Sequence, residues 1–346
     1  MQTPGTRALG RPLVIVNPSA GRGRTGRELP HLLPALRDAL GEPDVVRTRR
    51  RGDATVLAAA AVRDSRALVV GLGGDGTLNE IVNGLLTDDR VMASSPGATA
   101  GGPDHPAGLL PALGIVGTGT GGDFGRSLGI PHEVGAYLAA LRGGAERAVD
   151  VGRARFTSVD GRPVERFWLN VLSAGIGGLV DRYSAAAPGF LGGRVAYGQA
   201  ALRAIVTCHR TRLRCRYEAP DGTRGERLLD AHAVAVCNGR TFGGGMNIAP
   251  MARLDDGLLE VVAFQTRTRW RLVRRFATVY AGTHVHEPGV DHFTCRSLDL
   301  EPAGEPPGRR PAAGLFPLDV DGDALGDVPL HIEVAAAALR VRAPAA

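Results

Sequence analysis

The sequence predicts a two-domain α/β protein, an N-terminal domain built on a parallel sheet followed by a β-sandwich domain. Three observations carry that expectation. The first half alternates short apolar runs with helix-period segments, and each run breaks at a glycine or Asn-Pro turn. The second half changes to short alternating strands punctuated by turns. A chain of 346 residues exceeds one ordinary core, so residues 10–150 and 151–346 are read as separate domains. The final residues are free to pack back on the first.

Leu13-Val14-Ile15-Val16 reads as a buried strand that breaks at Asn17-Pro18-Ser19-Ala20-Gly21. A helix follows, with Leu29, Leu32, Leu33, Leu36 and Leu40 on one stripe and an expected kink at Pro34. Val45-Val46 is a short strand, and Asp53 to Val62 an alanine-rich helix. Strands at Ala67–Val70 and Leu113–Val116 each run into a glycine loop, which places a ligand at the C-terminal edge of a parallel sheet. Thr87 to Pro111 reads as a surface loop. Beyond Asp150, strands are expected at Phe167–Leu172, Arg212–Tyr217, Ala231–Cys237, Leu258–Phe264 and Leu298–Leu300.

The most informative run is Gly73-Gly74-Asp75-Gly76-Thr77-Leu78-Asn79-Glu80, between a strand and a helix whose Leu78, Ile81, Val82, Leu85 and Leu86 share one face. Glycines let the main chain approach a ligand closely, and the turn amides point toward an anion. Asp75 adds a carboxylate where a phosphate-bound Mg²⁺ would sit. A ligand-free explanation competes, because Thr77 and Glu80 fit a capping box. Glycine also makes up 49 of 346 residues, about twice the usual ~7%, so a bare glycine pattern is weak evidence.

Composition narrows the chemistry. Hydrophobic residues at 44% with 22% charged describe a soluble globular chain, with no membrane-spanning run and no signal-peptide core, so a cytoplasmic home is expected. All 41 basic residues are arginine, which excludes a Walker A loop and a eukaryotic-type protein kinase, both of which need lysine. The net charge of +6 favours an anionic partner. Nucleic acid is not expected, given 5% aromatics and no zinc finger, RRM or basic zipper. Cys208, Cys215, Cys237 and Cys295 lack CxxC spacing and are expected to be buried thiols.

Three further constellations stand along the chain. Gly117 to Arg126 is a second glycine loop after a strand, offering Thr120, Asp123 and Arg126. Gly243-Gly244-Gly245 precedes Arg253-Leu254-Asp255-Asp256-Gly257-Leu258. Asp319, Asp321 and Asp323 alternate, so on one strand they would share a face and call for a cation or water.

Together, in this order, these motifs resemble the diacylglycerol-kinase catalytic-domain family, which includes bacterial lipid kinases and sphingosine and ceramide kinases. The resemblance rests on Asn17 to Gly21, Thr48 with Gly52-Asp53-Ala54, Gly73 to Glu80, Asn83-Gly84, the 119–126 loop, Asn238-Gly239, Gly243 to Gly245, Asp255-Asp256-Gly257 and Asp321-Gly322-Asp323. It implies an NAD-kinase/diacylglycerol-kinase-like fold that transfers the ATP γ-phosphoryl group to a lipid hydroxyl from an interdomain groove. By the same resemblance Asn17, Pro18, Ser19, Ala20, Gly21, Thr48, Gly73, Gly74, Asp75, Gly76, Thr77, Leu78, Asn79, Glu80, Gly119, Thr120 and Asp123 contact ATP. Arg253 and Leu258 carbonyls with the Asp256 carboxylate match a Mg²⁺ site, and Asp323 stands at the general base, where the family usually has glutamate. Asp75 is assigned to the metal–phosphate cluster.

The chain departs from the family pattern at Gly117, where proline is common, at Gly122, where asparagine is common, and at Gly177, a frequent aspartate. Arg22, Arg24 and Arg126 are candidate phosphate clamps. Arg210, Arg212, Arg214 and Arg216 on one strand face, and Arg267 to Phe276 on a helix, are candidate contacts with an anionic bilayer. The implied partner is a lipid acceptor at a membrane surface, which makes peripheral contact with the inner membrane face an expectation. The sequence leaves oligomeric state open, with a homodimer as one option. Phe190, Leu191 and Tyr197 are candidates to shape the acceptor pocket. Two other readings are an NAD-kinase-like small-molecule kinase and a nucleotide-binding protein without turnover.

Overall fold

A computed structural model describes residues 10–86, 110–143, 145–158, 160–185, 199–200, 203–204, 206–266, 278–303 and 316–344. The expected loop at 87–109, the arginine-rich segment at 267–276, and Phe190, Leu191 and Tyr197 lie outside them. The chain forms two compact units, Met1–Val149 with Ala337–Ala346, and Asp150–Ala336.

The first unit opens β1 (Leu13–Val16), α1 (Arg24–Leu40), β2 (Asp44–Arg47), α2 (Asp53–Arg63), β3 (Leu68–Gly73), α3 (Asp75–Leu86) and β4 (Ala112–Gly117). Short helices at Asp123–Ser127 and Val134–Gly143 follow. The sheet order is β2-β1-β3-β4, all parallel, and the C-terminal end of β17 (Asp323–Ala343) adds a parallel edge through Val341 opposite Leu113. The chain leaves β1 toward β2 and then returns to β3 on the other side of β1. That reversal opens a crevice at the C-terminal ends of β1 and β3, where open α/β sheets bind ligands.

Two local expectations are revised in this unit. Strand β3 continues to Gly73, because its alternate positions are glycines that fit the buried centre of the sheet. Helix α1 runs through both Pro30 and Pro34, and only Leu29 and Leu36 of the leucine stripe are fully buried.

Helix α3 is buried on more than one face, including Asn79, Asn83 and Gly84. The second face lies against α2, where a Cβ on Gly84 would stand 2.2 Å from the Thr55 carbonyl oxygen. Thr55 Oγ1 donates to the Glu80 carbonyl at 3.0 Å, and the Ala54 amide donates to the Glu80 carboxylate at 3.2 Å. Gly84→Ala is therefore expected to cost a net of about 1–2 kcal/mol, overpacking outweighing the gain in helix propensity. Urea unfolding checks this. An unchanged midpoint would mean that the two helices separate without penalty.

The second unit takes β5 (Ala145–Ser158) from Asp150 onward, then β6 (Pro163–Trp168), β7 (Val171–Gly175), a helix at Ile176–Ala185, β8 (Thr211–Glu218), β9 (Arg224–Ala231) and β10 (Ala233–Cys237). A small hairpin joins β11 (Thr241–Phe242) to β12 (Met246–Asn247). Then come β13 (Leu259–Phe264), β14 (Val290–Cys295), β15 (Ser297–Pro302), β16 (Pro317–Val320) and β17. An antiparallel run β14-β13-β10-β7-β16-β17 is continued by β15, β8 and β9, while β5 pairs with β17 and β6.

Alternation along the central strands explains their unbroken apolar runs. Leu172, Val234, Val236 and Val261 enter one buried cluster with Leu213, Cys215, Leu229, Leu298 and Leu300. Val171, Ala235, Cys237 and Val262 face the other way, into a second cluster with Ile176, Ile248 and Phe264. Both faces are thus dry, as continuous Val/Ile/Leu runs require. All four cysteines are buried and unbridged.

The strand expected at Phe167–Leu172 is two strands, parted at Leu169-Asn170 where the backbone turns its amides onto a carboxylate. Ala231 ends β9 rather than opening β10. Asp319, Asp321 and Asp323 do not share one strand face. Asp321 and Gly322, with φ of 48° and 92°, form the two-residue turn of a hairpin in which Val320 faces Asp323. An Asp-Gly pair is the preferred sequence for such a turn.

Candidate functional site

In the first unit, three loops converge at the switch point between β1 and β3. The Asn17 amide donates to Leu72 O at 3.0 Å, and its Nδ2 donates to Thr77 Oγ1 at 3.0 Å, tying the first loop to α3. Its Oδ1 accepts from the Ser19 amide at 3.1 Å and folds the Pro18–Gly21 turn. Thr118 and Gly119 both donate amides to Gly73 O, at 2.9 and 3.2 Å. Thr25 and Thr118 share a buried hydroxyl pair at 2.6 Å, and Arg24 donates to Thr118 O at 2.7 Å. The backbones nearly touch: a Cβ on Gly119 would lie 2.7 Å from Gly74 Cα.

Asp75 locks this arrangement. Its Oδ2 accepts from the Gly122 amide at 2.8 Å and the Asp123 amide at 3.3 Å, and its Oδ1 from the Phe124 amide at 3.2 Å. Both carboxylate oxygens thus take hydrogen bonds from the start of the Asp123–Ser127 helix. Asp75 is a positioning residue that holds one glycine loop against the other. Asp123 is buried and pairs with Arg126 at 3.0 Å, and Arg126 also donates to Gly121 O.

The other expected nucleotide contacts divide into two groups. Ser19, Gly76 and Thr120 are exposed at the loop rims, Pro18, Ala20, Gly21 and Gly74 are half-buried beside them, and Thr48 closes the end of β2 by donating its amide to Val16 O at 2.8 Å. Leu78 lies in the core, Asn79 accepts from Asn83 Nδ2 at 3.1 Å, and Glu80 binds the Ala54 amide of α2. The side chains of those three are engaged away from the loop rims. The capping-box explanation also falls: Thr77 is the third residue of α3, and Glu80 serves α2.

In the second unit, a buried polar chain connects the expected metal loop to the expected base. Asp150 accepts the Gly257 amide at 2.7 Å and donates its own amide to Leu254 O at 2.6 Å. Asn238 Nδ2 donates to Asp150 O at 2.9 Å and to Leu169 O at 2.7 Å. The Asp321 carboxylate accepts amides from Leu169, Asn170 and Val171 at 2.7, 3.1 and 3.2 Å. Asp319 accepts the Gly322 amide at 2.6 Å and the Ser173 hydroxyl at 3.4 Å. Two of the three alternating acids thus clamp the turn that presents Asp323, which is half-buried.

Asp321→Ala leaves three backbone amides without their acceptor, so a loss of about 3 kcal/mol or more is expected on chemical unfolding. A loss under about 1 kcal/mol would show that water replaces the carboxylate.

By the family resemblance the Arg253 and Leu258 carbonyls and the Asp256 carboxylate, whose Oδ1 accepts the Leu258 amide at 3.1 Å, would offer an all-oxygen set of the kind a hard divalent cation takes. Burial pushes the Asp256 carboxyl above its ordinary range, with Asp255 adding to the rise, while the Leu258 amide and Arg253 oppose it. A bound cation would favour its charged form. Among the described residues no group of three or more His, Cys, Asp or Glu side chains gathers as a metal site. Mg²⁺ held here would therefore depend on Asp256, the Arg253 and Leu258 carbonyls, and phosphate or water.

The arginine face of β8 is largely neutralised. Arg210 pairs with Asp230, Arg214 with Glu226 and Glu301, and Arg216 with the same two glutamates. Thr25, Thr118, His132, Tyr137, Asp150, Asp319 and Asp321 are structural parts of these sites that motif reading did not single out for their roles. The only sequence signals for them were their closeness to glycine turns and, for Asp321, the Asp-Gly pair.

Comparison with known proteins agrees with this architecture. Residues 11–154 match the diacylglycerol kinase catalytic domain, and residues 170–343 match the YegS C-terminal NAD kinase beta sandwich-like domain. The chain belongs to the diacylglycerol kinase catalytic-domain family. A diacylglycerol kinase of Staphylococcus carnosus (strain TM300) is 25% identical over 331 residues, covering 94% of each chain. One from Staphylococcus aureus (strain MRSA252) is 27% identical over 324 residues, 93% of this chain and 88% of the relative. A crystal structure of a diacylglycerol kinase from Bacillus anthracis str. Sterne superposes with a TM-score of 0.68 over 98% of both chains at 24% identity. The fold is therefore a parallel α/β domain followed by a β-sandwich-like domain.

Proposed function

We propose that this protein is an ATP-dependent lipid kinase that moves the γ-phosphoryl group of ATP to a lipid hydroxyl. One observation carries the reading: three loops are stitched together at the switch point of a parallel sheet, with Gly74 and the first-turn amides of α3 at their meeting place. The Thr77 amide is taken by Gly74 O at 2.9 Å, but the Asp75 and Gly76 amides ahead of it have no intrahelical acceptor, so they favour a phosphate. Arg22, exposed on the first loop, is placed to add a cation. Phosphoryl transfer asks mainly for such positioning and charge neutralisation.

Mg²⁺, held by Asp256 and the Arg253 and Leu258 carbonyls, would neutralise phosphate charge. Asp323 would accept the acceptor hydroxyl proton late in transfer. The relatives named diacylglycerol kinase support a lipid alcohol as acceptor. No helix among the described residues is long and apolar enough to cross a membrane. The acceptor would be met by peripheral contact with a bilayer, where Arg212, exposed on β8, adds attraction to anionic lipid.

The test is incubation with radiolabelled ATP, Mg²⁺ and vesicles of mixed neutral lipids, with products resolved by mass spectrometry. A phosphorylated lipid is expected. Phosphorylated NAD would replace this reading with a small-molecule kinase, and ATP binding without product would leave a nucleotide-binding protein.

A further inference from the structure

Behind the second glycine loop lies a pair of side chains that no motif accounts for. His132 Nε2 stands 3.0 Å from the Gly119 carbonyl oxygen, and its Nδ1 stands 2.8 Å from the Tyr137 hydroxyl. A carbonyl only accepts, so Nε2 carries the proton and Nδ1 takes the hydrogen bond donated by Tyr137. The phenol keeps its proton to do so. Burial, reinforced by the charge of Asp75, pushes the Tyr137 hydroxyl up to about 12, with Arg126 opposing and Asp123 adding to the rise.

The loop is shaped around these two rings. Gly122 has φ of 70°, and a Cβ there would lie 2.1 Å from His132 Nδ1. A Cβ on Gly117 or Gly125 would lie 2.7 or 2.5 Å from the Tyr137 hydroxyl oxygen. Tyr137 is 1% exposed and the rings meet edge to face, 5.9 Å between centroids. Three glycines therefore leave room for a histidine–tyrosine pair, and the pair ends on the carbonyl of the residue that touches Gly74.

We propose that His132, oriented by Tyr137, is a positioning residue that fixes the Gly119 peptide and so sets how the loop receives a polyphosphate. The proposal rests on the nucleotide reading of this loop and deepens it. Ring and loop act on bound ATP in ground state and transition state alike, so the effect belongs in KM rather than kcat.

The test combines kinetics with imidazole and amide NMR of the full chain. His132→Ala is expected to raise KM for ATP about tenfold or more while kcat changes less than about threefold. His132→Gln, which keeps an N–H within reach of the Gly119 carbonyl, is expected to recover most of that loss. In the free protein, His132 is expected as the Nε2–H tautomer, and Tyr137→Phe should disturb its ring nitrogens together with the Thr118–Asp123 amides. An Nδ1–H tautomer, or a His132→Ala enzyme that loses kcat or thermal stability with KM unchanged, overturns the proposal. If the wild-type protein binds no ATP, the kinase reading fails. Loop positioning is then judged on the free-protein spectra, where amides unmoved by His132→Ala overturn it and displaced ones uphold it.

Discussion

Asp75→Asn is expected to lower phosphotransfer at least about a hundredfold and to raise KM for ATP, because it detaches one glycine loop from the other. The wild-type carboxylate takes three amides, two on Oδ2 and one on Oδ1. Asparagine keeps one oxygen and turns an NH₂ group toward amides that also donate, so at least one buried N–H loses its partner. Each unsatisfied amide costs about 1–3 kcal/mol, and the lost negative charge removes a further favourable contact with a helix start. The Gly122–Phe124 turn then moves relative to Gly74. Displacement of about 1 Å is enough for a hundredfold loss when catalysis depends on positioning. Steady-state kinetics with calorimetric ATP binding checks this. An Asp75→Asn enzyme with wild-type KM would mean that Thr118, Arg24 and His132 hold the loop alone.

The sequence made the large-scale architecture legible because it is written in periodicity. Leu13–Val16, Ala67–Val70 and Leu113–Val116 read as buried parallel strands, and the Asn-Pro or glycine turn after each pointed to the expected ligand edge. Direction of hydrogen bonding was not legible in the same way. Asp75 looked like a metal carboxylate because an acid beside a glycine turn has that chemistry, yet its acceptors were met by amides 47 to 49 residues further on. The partners of Asp319 and Asp321 were equally hidden. Alternation suggested one strand face, whereas the Asp-Gly pair, a turn signal in its own right, placed them across a hairpin. Glu80 matched a local capping pattern and instead serves a neighbouring helix, a contact that only packing of Gly84 on Thr55 creates. Pairings across tens of residues leave no periodic trace, so motif reading names the acids without naming their partners.

Asp323→Asn is expected to lower kcat by about a hundredfold to ten-thousandfold while leaving ATP binding unchanged. Asparagine matches aspartate in size but cannot accept a proton, so the change isolates base catalysis from shape. The hairpin should survive it. The turn is held by Asp321 on the Leu169–Val171 amides and by Asp319 on the Gly322 amide, which are hydrogen bonds of neighbouring residues. A thermal midpoint above that of Asp321→Ala is therefore part of the expectation, and it separates the two variants. Asp323→Glu supplies the converse: it keeps the carboxylate and adds one methylene, so activity is expected to stay within about tenfold of wild type. The discriminating measurement is kcat for all three proteins on the same lipid vesicles at saturating ATP. Equal rates for aspartate and asparagine would move the proton to water and leave Asp323 without a chemical role, whereas a loss in Asn restored in Glu requires a carboxylate at the start of β17.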